Sequence, residues 1–472
     1  MTCYLLGFCY HIFEVIAIML NICGGIDVII RRIHIEKLYE QHDYEIEFDP
    51  KVTFLYGANG CGKTTVLNIL TAIVTGKLYN LLDYKFDNIE LSYSSNLEEK
   101  EESIKIVMKN REKDNREMLV IFDKNQYIID DINSLKERLY RKNEDENIER
   151  AFLSICPFVK DIINKFNYVY LPLNRYGYDR FIEFEYYRYS RRRYYQTQDN
   201  PYNSYLNDSL RYISGLIRDS CMDINVKENK ANDEFRREVL SSMITVSSDM
   251  HILQIIKEID KCVWNDVMKL KKTYIKTLKD IGVYEKLEND IEVFFKDFKN
   301  AYDDYVRQKS REEENSGIRI DLAWQYAQFK KIQNIAELAK ENEKIKDEIR
   351  RPREQFLEVI NGFFLSSGTH KKVMINSEGQ IYFDTVNGRL KLYDLSSGEK
   401  QIIITFASLI FGLRGKGTGI FIVDEPEASL HLEWQNKFVS SILKTNENIQ
   451  LIFATHSPEI IGMYKENAIR LK

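Results

Sequence analysis

The sequence predicts an α/β fold: a parallel-sheet head with an antiparallel β subdomain, split by a long helical insertion that contains a helical hairpin. Three observations predict it. Short apolar runs that end in glycine-, hydroxyl- or acid-bearing loops occur in both the first and the last hundred or so residues of the 472-residue chain. A block of strand candidates separated by charged or Asn-bearing turns follows the first of them. Between about 208 and 365 the pattern becomes charged and amphipathic at helical spacing. The expected division is an N-terminal apolar extension over 1–28, a first lobe over 29–174, a Tyr/Arg-rich segment and helical insertion over 175–365, and a second lobe over 366–472.

The first 25 residues belong to no clear element. Tyr4 to Leu20 is mostly apolar but carries His11 and Glu14, and Asn21 and Gly24-Gly25 end it. That is short and interrupted for a spanning helix, and the basic start of a signal peptide is missing. A weak anchor, a helix packed on the body and an over-long start with Met19 as initiator compete; the last two are favoured, and no stable membrane association is expected.

Strands are predicted over 29–38 and, by strict alternation, over Tyr44-Glu45-Ile46-Glu47-Phe48. A short β-branched and aromatic run, Lys51 to Tyr56, reads as a buried strand. It leads into Gly57-Ala58-Asn59-Gly60-Cys61-Gly62-Lys63-Thr64-Thr65, which fits G-x-x-x-x-G-K-[ST]. Val66 to Val74 then continues at helical spacing to a stop at Gly76. Strand, glycine loop and helix together gather backbone N–H groups and a helix N-terminus around one point, an anion site for phosphates. Lys63 would reach the β- and γ-phosphates of a nucleotide, and the Thr64 hydroxyl would ligate Mg²⁺.

Four more strands, Ile89–Tyr93, Ser103–Met108, Met118–Phe122 and Gln126–Ile129, suggest an antiparallel meander. Residues 131–166 return to helical spacing, and Asn167 to Pro172 reads as a strand rejoining the main sheet. Arg175–Tyr195 holds nine aromatics and six arginines against three acids. Such a mixture suits a single-stranded nucleic-acid track or, as readily, a packing or subunit-contact segment. Leu287–Arg311 and Ile318–Arg350 form two amphipathic helices of a hairpin, with a turn at Glu313 to Gly317.

Strands resume at Lys372–Asn376, Gln380–Thr385 and Leu390–Tyr393. Leu395-Ser396-Ser397-Gly398-Glu399 then runs straight into an apolar helix, giving a second N-terminal anion site with Ser donors. Next, Gly419-Ile420-Phe421-Ile422-Val423-Asp424-Glu425-Pro426 marks a central strand with two carboxylates at its C-terminal end. Asp424 suits Mg²⁺, and Glu425 suits a base that activates or orients water. Another buried strand, Leu451 to Ala454, ends at Thr455-His456-Ser457-Pro458 and brings His456 to the same edge, where α/β sheets bind ligands.

The rest of the composition sets limits. At 44% hydrophobic and 29% charged, the chain has ordinary globular proportions, and its net charge of −5 excludes a global basic signature. Any nucleic-acid contact must be a local patch. Seven cysteines, at 3, 9, 23, 61, 156, 221 and 262, include no C-x-x-C pair, which argues against a disulfide framework or zinc site and for a reducing, cytoplasmic compartment.

Loop, L-S-S-G-E, D-E-P and T-H-S in this order resemble the ABC-class ATPases. The resemblance implies a head-to-head sandwich in which Gly57, Asn59, Gly60, Cys61, Gly62, Lys63, Thr64 and Thr65 of one subunit hold ATP. Ser396, Ser397, Gly398 and Glu399 of another would then cap its γ-phosphate. In that family's terms Asp424 and Glu425 are the Walker B pair, with Mg²⁺ on Thr64 and Asp424, and Glu425, His456 and Lys63 do the chemistry. Ser429 and Leu430 lie in its D-loop. The family's metal-side glutamine has no counterpart, since Gln126 lacks a supporting motif.

The long insertion is similar to that of the group holding RecF, double-strand-break-repair and OLD-like ATPases. The chain is most similar to stand-alone ATPase subunits of anti-phage systems of the Septu or PARIS kind. That similarity implies a homo-oligomer, at least a dimer, acting with a separately encoded nuclease of HNH or Toprim type and no nuclease domain in cis. A RecF-like ATPase that binds DNA through Arg175–Tyr195, and an ATP-gated scaffold that scarcely hydrolyses, are the alternatives.

Overall fold

The structure, a computed structural model, describes residues 28–95, 100–111, 115–129, 152–171, 201–244, 258–259, 264–311, 316–413 and 419–472. The first strands, β1 (Ile29–Leu38) and β2 (His42–Glu47), form an antiparallel hairpin that pairs Ile33 with Ile46 and Ile35 with Tyr44. β3 (Val52–Tyr56) leaves this hairpin for a second sheet and feeds the glycine loop and α1 (Lys63–Val74). β4 (Asn88–Ser94), β5 (Glu102–Arg111), β6 (Asn115–Phe122) and β7 (Asn125–Ile129) then complete the meander. The outcome is a six-stranded antiparallel sheet in the order β2-β1-β4-β5-β6-β7: the hairpin and the meander form as expected, and pairing of β1 with β4 joins them into one sheet.

After a short helix, α2 (Val159–Lys165), β8 (Tyr168–Leu171) returns to the second sheet. The later strands β12 (Gly419–Asp424), β13 (Ile449–Thr455) and β14 (Ala468–Arg470) complete it in the order β14-β3-β13-β12-β8, parallel throughout. Both faces are covered, which is why its central strands are mostly apolar, with Thr53 and Gln450 as buried exceptions. The two-residue period sorts them into two cores. Leu55, Ile420, Ile422, Ile452 and Ala454 pack with α1 and the antiparallel sheet. Phe54, Phe421, Val423, Leu451 and Phe453 pack on the other side.

That second core is closed by α7 (Ser397–Gly412), α8 (Leu432–Thr445) and a three-stranded antiparallel sheet of β9 (Lys372–Ile375), β10 (Ile381–Thr385) and β11 (Gly388–Leu390). It also takes in the roots of two long helices, α3 (Pro201–Ile244) and α6 (Ser316–Ser366). Gln450 fastens the two sheets. Its buried amide donates to the carbonyls of Ile30 and Asp49, at 2.8 and 3.0 Å, and its oxygen accepts the Ile30 N–H at 2.9 Å.

The chain divides into two compact units, one of residues 1–221 and 352–472 and the other of 222–351. The division lies inside α3 and α6, not at 175 and 365, because Leu210, Ile213, Ile217, Phe356, Ile360, Phe363 and Phe364 are buried in the head core. In the smaller unit α4 (Trp264–Ile281) and α5 (Tyr284–Arg311) pack with the adjoining parts of α3 and α6. Phe298 of α5 stacks on Phe329 of α6 at 5.1 Å, so the expected hairpin forms. Its second helix differs from expectation. It does not stop near Arg350 but continues through Pro352 to Ser366, 51 residues in all. A proline inside a helix costs about 3 kcal/mol; burial of the four aromatic and aliphatic side chains beyond it outweighs that.

Residues Arg175–Tyr195, the N-terminal extension over 1–27 and all of 131–151 lie outside the described residues. No helix among the described residues is long and apolar enough to cross a membrane. Gln126 lies exposed on β7, in the antiparallel sheet.

Candidate functional site

The glycine loop connects the C-terminal end of β3 to α1, and its glycines are there for space and hand. Gly60 and Gly62 have φ of +84° and +82°, the left-handed region that side chains resist. A Cβ on Gly62 would stand 2.4 Å from the Tyr44 hydroxyl, and one on Gly57 would stand 2.7 Å from the Leu471 carbonyl. Tyr44 supports the loop from β2 and donates to the Cys61 carbonyl at 3.0 Å. Alternation alone places Tyr44 on the buried face, but nothing in the sequence places it beneath Gly62. Gly62→Ala is therefore expected to weaken ATP binding at least tenfold by titration calorimetry. The left-handed backbone alone costs about 1–2 kcal/mol for an alanine.

Lys63 opens α1 and is 5% exposed. Its ammonium donates to the carbonyls of Gly57 and Ala58, both at 3.1 Å, and lies 3.9 Å from the Cys61 sulfur. The charge is thus held inside the loop's own curve, where phosphates would replace neutral carbonyls as partners. Asn59, Gly60 and Thr64 are exposed, and Thr65 is half-buried in the first turn.

Asp424 ends β12 and is 2% exposed. The Thr64 hydroxyl faces it, but outside hydrogen-bond geometry, and both carboxylate oxygens are without a hydrogen-bond partner among the described residues. Asp424 is raised to about 6: burial is the largest cause, Glu425 and Glu427 add to it, and Thr64 and Lys63 oppose it. A buried carboxylate with two orphaned oxygens, beside a hydroxyl and near the glycine loop's Lys63, fits a hard divalent cation such as Mg²⁺. In the metal-free chain the charged form destabilises the fold above about pH 6, and the cost falls away as pH drops from there toward 3.8. Asp424→Asn is expected to stabilise the nucleotide-free protein at neutral pH by up to about 3 kcal/mol. Its melting temperature should rise by several degrees while Mg²⁺-dependent turnover is lost.

Glu425 turns out of β12 with φ +43°, a left-handed conformation held by its N–H on the Ala454 carbonyl at 2.7 Å. His456 follows the neighbouring strand β13, and its Nε2 lies 3.9 Å from Glu425 Oε1. These two side chains are partly exposed, as groups that meet a substrate must be. Between them lies Glu427, which the motif reading passed over. One of its oxygens accepts the N–H groups of both His456 and Ser457, at 2.5 and 3.1 Å.

Ser396 caps α7: its hydroxyl accepts the Glu399 N–H, and Glu399 accepts the Ser396 N–H at 2.8 Å. Glu399 is buried and held by Lys371 at 2.8 and 3.0 Å. Burial would raise its carboxyl; Lys371 and Ser396 outweigh that and hold it below the ordinary carboxylate range. The Glu399 carboxylate is thus engaged inside its own subunit, and Ser396 and Ser397 are the exposed members of the motif. A Cβ on Gly398 would lie 2.5 Å from the carbonyl of Ser429, itself at φ +67°. The helix start and the Ser429-Leu430 loop are therefore packed as one surface, with the Lys63–Asp424 cluster built separately.

Comparison with known proteins places these features in context. Over 86 residues the chain is 36% identical to "Retron Ec83 probable ATPase" of Escherichia coli, covering 16% of each chain. Over 84 residues it is 32% identical to "Septu protein PtuA" of Bacillus mycoides (strain KBAB4), covering 17% of this chain and 12% of that one. A third relative, "Retron Vc95 probable ATPase" of Vibrio cholerae serotype O1 biovar El Tor, is 30% identical over 91 residues, 17% of this chain and 18% of the relative. The chain thus spans less than a fifth of the length of each. Among solved structures, the Smc head domain of Pyrococcus furiosus with an extended coiled coil aligns at 13% identity over 94% of each chain, with a TM-score of 0.39. The family model described as "AAA domain, putative AbiEii toxin, Type IV TA system" matches residues 52–462, from the strand before the glycine loop to just beyond His456. The chain belongs to that AAA family.

Proposed function

We propose that this chain is an ABC-type ATPase that binds and hydrolyses ATP in a site shared between two copies. In this reading it senses an invader and regulates a separately encoded effector nuclease in anti-phage defence in the cytoplasm. The observation that carries the ATPase reading is one cluster at the C-terminal ends of adjacent parallel strands. It consists of a buried ammonium on loop carbonyls, a buried carboxylate without partners, and a glutamate facing a histidine.

The residues fit the parts. The loop N–H groups and Lys63 would bind the β- and γ-phosphates, and Thr64 and Asp424 would hold Mg²⁺, which supplies charge neutralisation at the phosphates. Glu425 would accept a proton from the attacking water, or orient it, and His456 would donate toward the γ-phosphate. Ser396 and Ser397 face outward from α7, and their hydroxyls would complete the site of a second copy. The names of the retron and Septu relatives support the defence reading, and the notion of a separate nuclease of HNH or Toprim type comes from the same resemblance.

Phosphate release by the purified chain with Mg²⁺ and ATP, alongside its mass with and without nucleotide, tests this. Turnover accompanied by nucleotide-dependent pairing is expected. A chain that binds ATP, pairs and releases no phosphate would be a scaffold instead.

A further inference from the structure

Glu427 lies outside the residues given roles above, yet its surroundings are those of a functional group. It sits in the turn after β12, between the left-handed Glu425 and Ser429. From there it reaches across to the end of β13, where its Oε1 accepts two consecutive N–H groups, those of His456 and Ser457. Its other oxygen, Oε2, is buried and has no hydrogen-bond partner among the described residues. An orphaned buried carboxylate oxygen weakens a fold, so its presence here calls for a reason other than stability.

The clamp supplies that reason. Among the described residues the His456 ring makes one polar approach, 3.9 Å to Glu425 Oε1, so there the direction of the imidazole is set chiefly by the backbone beneath it. Ser457 fixes the far side of the same bend: its N–H also reaches the Thr455 hydroxyl at 3.0 Å, and its own hydroxyl donates to Gln435 at 2.7 Å. On the His456 side the Glu427 carboxylate is the matching tie. It also connects the two strand ends that carry Glu425 and His456. We propose that Glu427 is the positioning residue for His456, holding the end of β13 so that the imidazole faces Glu425 and the phosphate end of the site. This rests on the reading of His456 as part of the ATP site, and it adds what holds it there.

The clamp needs an acceptor oxygen at the right reach, not a charge. Glutamine supplies the oxygen, alanine supplies nothing, and aspartate is one methylene short. The test uses the full-length chain with ¹³C-labelled histidine. The seven histidines give few ring cross-peaks, and that of His456 is identified by its loss in His456→Ala.

In nucleotide-free protein, Glu427→Ala is expected to shift or split the His456 peak, and Glu427→Gln to leave it at the wild-type position. In turnover, Glu427→Ala should lower kcat about tenfold to hundredfold, as displacement of a group by about 1 Å does, with KM for ATP within about twofold. Glu427→Gln should recover most of that loss, and Glu427→Ala combined with His456→Ala should be no slower than His456→Ala alone. Should Glu427→Ala fail to fold, Glu427→Asp carries the same expectations. The proposal is overturned by an unmoved His456 peak in the Ala or Asp variant, by a Gln variant as slow as Ala, or by a loss that multiplies with His456→Ala. A wild-type chain that releases no phosphate would instead contradict the ATPase reading, and the peak comparison would still decide the role of Glu427.

Discussion

Lys63→Ala is expected to lower ATP turnover by about 10²–10³-fold, the scale on which removal of one aimed charge or donor acts in a dry site. The loss should extend to nucleotide-dependent pairing. Lys63 is buried, and its ammonium rests on the Gly57 and Ala58 carbonyls. Alanine removes the one ammonium held inside the loop and leaves two inward-facing carbonyls without their donor. A phosphate brought to that loop would then meet carbonyl oxygens. Phosphate release and mass photometry with ATP check the two halves together. Loss of turnover with pairing intact would mean that pairing does not depend on the phosphate loop.

Glu425→Gln is expected to separate binding from hydrolysis. The backbone that presents this side chain is fixed by the Glu425 N–H on Ala454, and glutamine preserves both shape and backbone. What it loses is a basic oxygen. Turnover should fall by about 10²–10⁴-fold, the range of general-base contributions, while ATP affinity stays within about threefold. Because hydrolysis no longer ends the ATP state, pairing should become longer-lived. Single-turnover phosphate release and equilibrium nucleotide binding measure the two sides. A variant with wild-type turnover would place the base elsewhere.

Much of this site is legible in the chain because its parts are local. The glycine loop, the D-E pair and the T-H-S turn each lie at the end of an apolar strand, and a strand end followed by such residues points to one edge of a parallel sheet. The structure puts Phe421 and Ile422, and Phe453 and Ile452, into opposite cores, a division that a continuous apolar run does not announce. Contacts between residues distant in sequence were not legible. Tyr44 beneath Gly62, Lys371 on Glu399 and Gln450 across two sheets are single contacts spanning 18 to 420 positions, with no periodicity to announce them. Glu427 was passed over because, in a run of acids after β12, nothing local marks which one turns back toward β13.

The length of α6 shows the opposite error. The charged, amphipathic pattern ends near Arg350, just ahead of Pro352, and a residue before proline is biased away from the helix. The helix continues because Phe356, Ile360, Phe363 and Phe364 are anchors in the head core. Glu399 has local partners that its motif position does not announce. A glutamate three positions after a serine at a helix start is a capping box before it is a ligand, and Lys371 completes its satisfaction from β9's leading edge.

The shared site is the central claim, and mixing two inactive variants tests it most directly. Lys63→Ala disables the phosphate loop. Ser397→Arg blocks the opposing surface with little effect on the fold, since Ser397 is exposed and the helix cap belongs to Ser396. Each alone should release almost no phosphate. If two copies build each site, a mixed pair holds one site with both lesions and one with neither. An equal mixture given ATP should then recover a substantial fraction of wild-type turnover, because only mixed pairs carry an intact site, one of two, to hold the nucleotide that pairing requires. A mixture as inactive as its components, with exchange verified by differently labelled chains, would contradict a site shared between copies.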